Sequence, residues 1–269
     1  MRVRVVSVVL VPLHPYLLSE NPIAFAHRGG AHESPENTLE AFRNAVNLGF
    51  QYLETDAQLT ADGIPIAFHD PCIDRVSDGQ GAVEEMTWDE LSTVVIHPDR
   101  DGGGKLATIE QLLQEFPDAK FNIDTKSAAV VGPLLDVLVA NDALDRVCLA
   151  SFFDQRLASI RKRLGDQACV SQGPFETITT LARGLLGQQV DQAMNRPLQI
   201  PAAIGPVPVA TSRLVKAAHR FGSPVQVWTV DDPETMHELL DIGVDGIMTD
   251  RPSVLRAVLI ERGQWSNTI

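Results

Sequence analysis

The chain has 269 residues, 44% of them apolar, and a formal net charge of −13 at pH 7. That length suits one large α/β barrel or two small domains, and the composition is that of an ordinary globular protein. Acidic residues spread along the whole chain argue against a nucleic-acid or anionic-membrane binder. Three cysteines, Cys72, Cys148 and Cys169, form no Cys-x-x-Cys pair and are odd in number. They point to a reducing compartment, the cytoplasm, rather than to a disulfide framework. Arg2 and Arg4 ahead of Val5 to Val11 loosely resemble a signal peptide, but Pro12 interrupts the run and no small-residue cleavage site follows. Residues 1–21 therefore read as an N-terminal arm or extra strand, and 22–269 as one domain. No later segment is long and apolar enough to span a bilayer.

Ile23 to Ala26 reads as a strand that runs into His27-Arg28-Gly29-Gly30. Two glycines permit a tight turn and leave the imidazole and guanidinium at the strand's carboxyl end. Asn37 is the expected N-cap of a helix, with Glu40 three residues on. Glu36 either orients Arg28 or favours the helix N-terminus. In the second strand, Gln51 to Asp56, Glu54 and Asp56 alternate with period two and share a face. Asp62-Gly63 predicts a hairpin turn, and Ile64 to Phe68 returns the chain to His69-Asp70. Asp70 to Lys105 is an irregular excursion holding one short helix capped by Thr87. A further helix starts at Thr108, and Lys120 to Asp124 is the third strand, with Asp124 and Lys126 on one face.

From there strands starting near 147, 168, 198, 225 and 246 alternate with helices. Phe175 to Val190 is a helix weakened by Gly184 and Gly187, and Pro201 to Pro208 is a Pro-rich connection. Eight strand–helix units imply a (β/α)8 TIM barrel with a small insertion after the second strand. The active site of such a barrel lies at the carboxyl ends of its strands. His27, Arg28, Glu54, Asp56, Asp124, Lys126 and Trp228 fall at those ends. Asp250 and Arg251 read as a structural ion pair or turn. His14, His32, His97, His219 and His237 read as surface residues.

Glu54, Asp56 and Asp124 offer oxygen ligands for one hard divalent cation, Mg²⁺, Ca²⁺ or Mn²⁺. Arg28 and Lys126 beside them suit an anionic ligand, most simply a phosphate. Two histidines supply a general base and a general acid near neutral pH. Phosphodiester cleavage needs all of these together.

The ordered motifs His27-Arg28-Gly29, Pro35-Glu36-Asn37-Thr38, Glu54-x-Asp56, Leu59-Thr60-x-Asp62-Gly63-x-Pro65 with His69-Asp70, Asn122-Ile123-x-x-Lys126, Trp228-Thr229-Val230-Asp231 and Asp245-Gly246-Ile247-x-Thr249-Asp250-x-Pro252 resemble those of the glycerophosphodiester phosphodiesterase family. The resemblance runs from residue 22 to about 258 and implies a TIM barrel. It implies His27 and His69 as the acid–base pair, Arg28 and Lys126 as phosphate contacts, Glu54 and Asp56 as metal ligands, and Trp228 as a pocket wall. The family's third ligand is usually a Glu two residues before the Lys; here that position is Asp124, one methylene shorter. The implied substrate is a small glycerophosphodiester. Action on lysophospholipids, cyclisation by a substrate hydroxyl, and a phosphate-binding module without turnover are the rival readings.

Overall fold

The computed structural model describes residues 13–265 except 98, 100–102 and 189–195; the Val5 to Val11 run and the end of the Phe175 to Val190 helix lie outside them. In chain order the elements are β1 (Ile23–His27), α1 (Leu39–Asn47), β2 (Tyr52–Leu59), β3 (Pro65–Ala67), α2 (Trp88–Leu91), β4 (Val95–Ile96), β5 (Gly104–Lys105), α3 (Ile109–Glu115), β6 (Lys120–Thr125), α4 (Val131–Ala140), β7 (Val147–Ala150), α5 (Asp154–Leu164), β8 (Cys169–Val170), α6 (Pro174–Leu185), β9 (Leu198–Pro201), β10 (Ala203–Ile204), β11 (Val207–Pro208), α7 (Ser212–His219), β12 (Val225–Trp228), α8 (Pro233–Asp241), β13 (Gly246–Thr249) and α9 (Pro252–Glu261). Eight parallel strands form one sheet in the order β8-β7-β6-β2-β1-β13-β12-β9, with β3 antiparallel on β2. The sheet curls so that the segments flanking its two end strands, just past β8 and just before β9, approach each other. Between them the Gln172 N–H donates to the Pro197 carbonyl at 3.0 Å.

Residues of alternate parity point outward along each strand and pack against the helices. Leu53, Phe121, Ile123, Leu149, Val225, Val227 and Ile247 join the inner faces of α3, α4, α5 and α8 in the main core. The inward residues are different. At the floor Tyr16, from a short 3₁₀ turn at Pro15–Leu17, packs on Phe25 and Tyr52, and Lys120 Nζ donates to the Tyr52 hydroxyl at 2.9 Å. One layer up, Gln199 Nε2 donates to Asn122 Oδ1 at 2.7 Å and to Gln226 Oε1 at 2.9 Å, a polar link from β9 to β6 and β12. Above that come the carboxylates.

The insertion after β2 has its own small core of Ile66, Phe68, Ile73, Val76, Val83, Leu91, Ile96 and Leu106, so it is a packed appendage rather than a loose loop. Two local expectations fail. The helix cap is Thr38, whose side chain accepts from Ala41 N, because Asn37 is turned away with φ 57°. Pro201 to Pro208 is not a plain connection: Ala203–Ile204 and Val207–Pro208 form an antiparallel hairpin around Gly205. No helix among the described residues is long and apolar enough to cross a membrane.

At the amino-terminal end, Asp245 Oδ2 accepts from His219 Nε2 and from Val225 N, both at 2.7 Å. The Asp245 hydrogen bond raises the His219 pKa above its usual 6.5. A raised folded-state pKa gives stability that is complete below the unfolded value and lost as pH rises through the folded one. The melting temperature of wild type relative to His219→Gln is therefore expected to fall as pH is raised from about 5.5 to 8.5, a range bracketing the ordinary histidine pKa. A constant difference across that range would contradict it.

Candidate active site

β1 delivers His27 to the carboxyl end of the barrel, and the chain then turns through three left-handed residues, Arg28 (φ 50°), Gly29 (φ 80°) and Gly30 (φ 99°). The turn is tied at two points: Arg28 N–H donates to Glu54 Oε2 at 3.1 Å and Asn37 N–H to the Arg28 carbonyl at 2.9 Å. Only glycine fits the middle position, because a Cβ on Gly29 would lie 2.7 Å from Ala41 Cβ and 2.9 Å from the Ala41 carbonyl carbon. Gly29→Ala is expected to cost about 1–3 kcal/mol, the usual price of overpacking a rigid site. Urea unfolding reads this, and a midpoint equal to wild type would show that the turn is free to move.

The registers Asp56↔Asp124 and His27↔Glu54 set the expected groups side by side. Lys126 Nζ lies 2.7 Å from both Asp56 Oδ1 and Asp124 Oδ2. Arg28 Nε lies 3.1 Å from Asp56 Oδ2, and its Nη1 donates to Glu36 Oε1 at 2.9 Å. His27 Nε2 is 3.7 Å from Glu54 Oε2. His69 is joined through its neighbour: its Nδ1 is 2.5 Å from Asp70 Oδ1, and Asp70 Oδ2 is 2.5 Å from Arg75 Nε. Arg75 then forks onto Glu36 at 3.0 and 2.8 Å. One continuous chain of charges thus runs from His69 through Arg75, Glu36, Arg28, Asp56 and Lys126 to Asp124. Trp228 stands apart from it, edge-on to Phe152 at 5.6 Å.

Glu54, Asp56 and Asp124 are all buried, and their electrostatics diverge. Burial, reinforced by Asp56, pushes Glu54 up to about 7, although His27 opposes it. Burial would raise Asp56 too, but Lys126 and Arg28 reverse this and hold it at about 2. Asp124 is raised by burial despite Lys126. Burial disfavours a charged His27, yet Glu54 and the Asp250 hydrogen bond outweigh it and push its pKa up to about 9. Of the buried side-chain atoms here, Asp124 Oδ1 and His97 Nε2 make no hydrogen bond, and Arg28 Nε faces Asp56 Oδ2 at 3.1 Å without hydrogen-bond alignment.

Four neighbours were not among the expected site residues. Asp250 is no mere turn residue; its Oδ1 holds His27 Nδ1 at 2.6 Å. The end of the last strand lies beside the first in a curled barrel, and that adjacency is the signal that could have found it. Asn37 is fully buried and donates to Asp56 Oδ2 at 3.1 Å, with Thr55 Oγ1 donating to its Oδ1 at 2.8 Å. Asp70 and Arg75 belong to the insertion side. Two histidines assigned to the surface also approach the mouth. His97 Nε2 lies 3.8 Å from Glu36 Oε2. His32, Asp231 and Asp250 bring one ligand atom each within 4.8 Å of one another, the one such grouping among the described residues.

A barrel whose mouth carries paired carboxylates, basic groups and histidines is a hydrolase scaffold for an anionic ester. The model of the glycerophosphoryl diester phosphodiesterase family matches residues 27–254, and the chain belongs to that family. The probable glycerophosphodiester phosphodiesterase 2 of Mycobacterium tuberculosis is 37% identical over 262 residues, covering 94% of this chain and 97% of its own. A glycerophosphodiester phosphodiesterase of Caldanaerobacter subterraneus is 29% identical over 245 residues, covering 87% and 96%. Among solved structures, an Oleispira antarctica phosphodiesterase in complex with the product sn-glycerol-3-phosphate superposes with a TM-score of 0.73 at 22% identity, covering 89% and 97%. The glycerophosphodiester phosphodiesterase of Agrobacterium tumefaciens gives 0.72 at 21% identity, covering 87% of this chain and 99% of its own. These structures share the fold.

Proposed function

We propose that this enzyme hydrolyses a glycerophosphodiester to an alcohol and sn-glycerol 3-phosphate, using His27 and His69 to move protons. Arg28 and Lys126 hold the phosphate, and Glu54, Asp56 and Asp124 hold one divalent cation. The observation that carries the reading is the unpartnered buried acceptor Asp124 Oδ1, at the end of a charge network that includes Lys126, Asp56 and Arg28. A cation would answer that acceptor, and Arg28 and Lys126 beside it suit a phosphate.

The donor set fits a hard cation. All three candidate ligands are carboxylates, which favours Mg²⁺, Ca²⁺ or Mn²⁺; burial raises Glu54 and Asp124, and the three do not close into a grouping such as the 4.8 Å one of His32, Asp231 and Asp250. When bound, such a cation polarises a phosphoryl oxygen as a Lewis acid. Lys126 has three donors and gives two to Asp56 and Asp124, leaving one for the phosphate. Glu36 holds Arg28 through Nη1 while Nε faces Asp56 Oδ2. His27 and His69 each have Nδ1 against a carboxylate, Asp250 and Asp70, which leaves each Nε2 for the reaction. One takes a proton from the attacking water and the other donates one to the leaving alkoxide.

Product analysis tests the reaction. Glycerophosphocholine is expected to yield choline and sn-glycerol 3-phosphate in equal amounts. A cyclic glycerol phosphate appearing first would assign the attack to the substrate's own hydroxyl instead of water.

A further inference from the structure

The two histidines of the mouth are oriented by carboxylates of unequal support. Asp250, which holds His27 Nδ1 at 2.6 Å, is fixed by the sheet. It follows β13 directly, and its N–H donates to Asp231 Oδ1 at 2.8 Å. His69 is placed differently. It lies beyond the end of β3, its side chain is a third exposed, and its carboxylate partner is the next residue, Asp70. Gln58 Nε2 donates to the backbone carbonyls of His69 and Asp70 at 3.1 and 3.0 Å. Those bonds fix the main chain and leave the imidazole and the carboxylate to be set by something else.

Arg75 reaches them from the insertion. It ends a 3₁₀ turn, Ile73–Arg75, and stands between Ile73 and Val76, both buried in the insertion's own core. From there its Nη1 and Nη2 fork onto Glu36 Oε2 and Oε1 at 3.0 and 2.8 Å, and its Nε donates to Asp70 Oδ2 at 2.5 Å. Asp70 Oδ1 in turn faces His69 Nδ1 at 2.5 Å. Glu36 is buried and also accepts from Arg28, so it is a firm root for the fork. A planar guanidinium can hold two carboxylates in one fixed geometry, which a point charge cannot. Burial alone would raise the Asp70 pKa, but the Arg75 hydrogen bond reverses this and holds it below the ordinary value, so Asp70 stays a pure acceptor for an Nδ1–H.

We infer that Arg75 is a positioning residue for His69: rooted on Glu36, it holds Asp70, and Asp70 keeps the imidazole proton on Nδ1 and so leaves Nε2 bare. Docking of the insertion against the barrel is then part of assembling the site. The use made of His69 rests on the phosphodiesterase reading above; its placement by Arg75 does not.

Long-range proton–nitrogen NMR spectra of histidine-labelled protein read the tautomer of each ring without turnover. They are recorded at about pH 9, above the ordinary histidine range, with His69 assigned by its loss in His69→Ala. The wild-type His69 ring is expected to carry its proton on Nδ1 alone, because the bond made by one ring nitrogen sets the state of the other. In Arg75→Gln a mixture with the Nε2-protonated form is expected, while the His27 ring keeps its wild-type signals. Asp70→Ala leaves the Arg75–Glu36 fork in place; it is expected to give the same mixture and serves if the Arg75 variant does not fold. With glycerophosphocholine each variant is expected to lose about 10- to 100-fold in kcat, the upper figure being the cost of a misplacement of about 1 Å. The double variant is expected to lose no more than the larger single loss, because the two residues act in series. A His69 ring that stays wholly Nδ1-protonated in Arg75→Gln would overturn the inference. So would losses that multiply in the double variant, the behaviour of two independent structural contacts. The tautomer change in a protein that does not cleave glycerophosphocholine would remove the reaction and leave the placement of His69 by Arg75 standing.

Discussion

His27→Ala and His69→Ala are each expected to lower kcat by about 10²–10⁴-fold, the usual worth of a positioned acid or base, with KM little changed. Both imidazoles present the same local design. A carboxylate takes Nδ1, Asp250 at 2.6 Å for His27 and Asp70 at 2.5 Å for His69. Each Nε2 is then set by a fixed ring orientation, as in other carboxylate-oriented histidines. The variants differ in what else they disturb. His69 is a third exposed at its side chain, so His69→Ala is expected to melt close to wild type. His27 sits between Asp250 and the buried Glu54, and its loss leaves Glu54 with one fewer positive neighbour. Steady-state kinetics with circular dichroism on each variant checks both statements. A variant that keeps wild-type kcat would strip that histidine of its proposed role.

Lys126→Met is expected to destabilise the chelator-treated protein by about 3–5 kcal/mol, the penalty for removing one partner of a buried pair. Methionine keeps the packing of the side-chain stem and removes the charge. Asp56 is 2% and Asp124 10% exposed at the side chain, and Lys126 Nζ is 2.7 Å from each. Without it Asp56 retains Arg28, and Asp124 loses its close cationic partner. A divalent cation in the same place supplies charge to both carboxylates, so added Mg²⁺, Ca²⁺ or Mn²⁺ is expected to recover part of the lost stability. Chemical denaturation with chelator and then with each cation reads the effect. A midpoint that matches wild type under chelator would mean that the two carboxylates are not jointly held by Lys126.

The strand-end residues were legible because two short-range signals coincide there. Period-two alternation put Glu54 and Asp56 on one face, and the Gly29-Gly30 turn marked the end of β1. The barrel itself was legible from the spacing of strands and helices. What escaped depends on pairings between distant parts of the chain. Asp250 reaches His27 only because the sheet curls, 223 residues apart in sequence. Arg75 reaches Glu36 only because the insertion folds on its own small core and leans on the mouth. The cap passed from Asn37 to Thr38 because Asn37 is drawn inward by Asp56 and Thr55, a tertiary preference that overrides local capping. The Ala203–Pro208 hairpin was hidden by its prolines, which usually mark irregular connections. His97 looked like a surface residue in a Gly-rich loop, and its approach to Glu36 follows from the path of the whole insertion.

We propose that one cation held by Glu54, Asp56 and Asp124 works with His27 and His69 on a phosphodiester. It is tested most directly by measuring glycerol 3-phosphate release from glycerophosphocholine, first with chelator and then with Mg²⁺, Ca²⁺ or Mn²⁺ restored. Release that stops with chelator, returns with at least one of these cations, and fails to return in Asp124→Ala is the expected result. Release that persists in chelator, or that Asp124→Ala leaves intact, would contradict it.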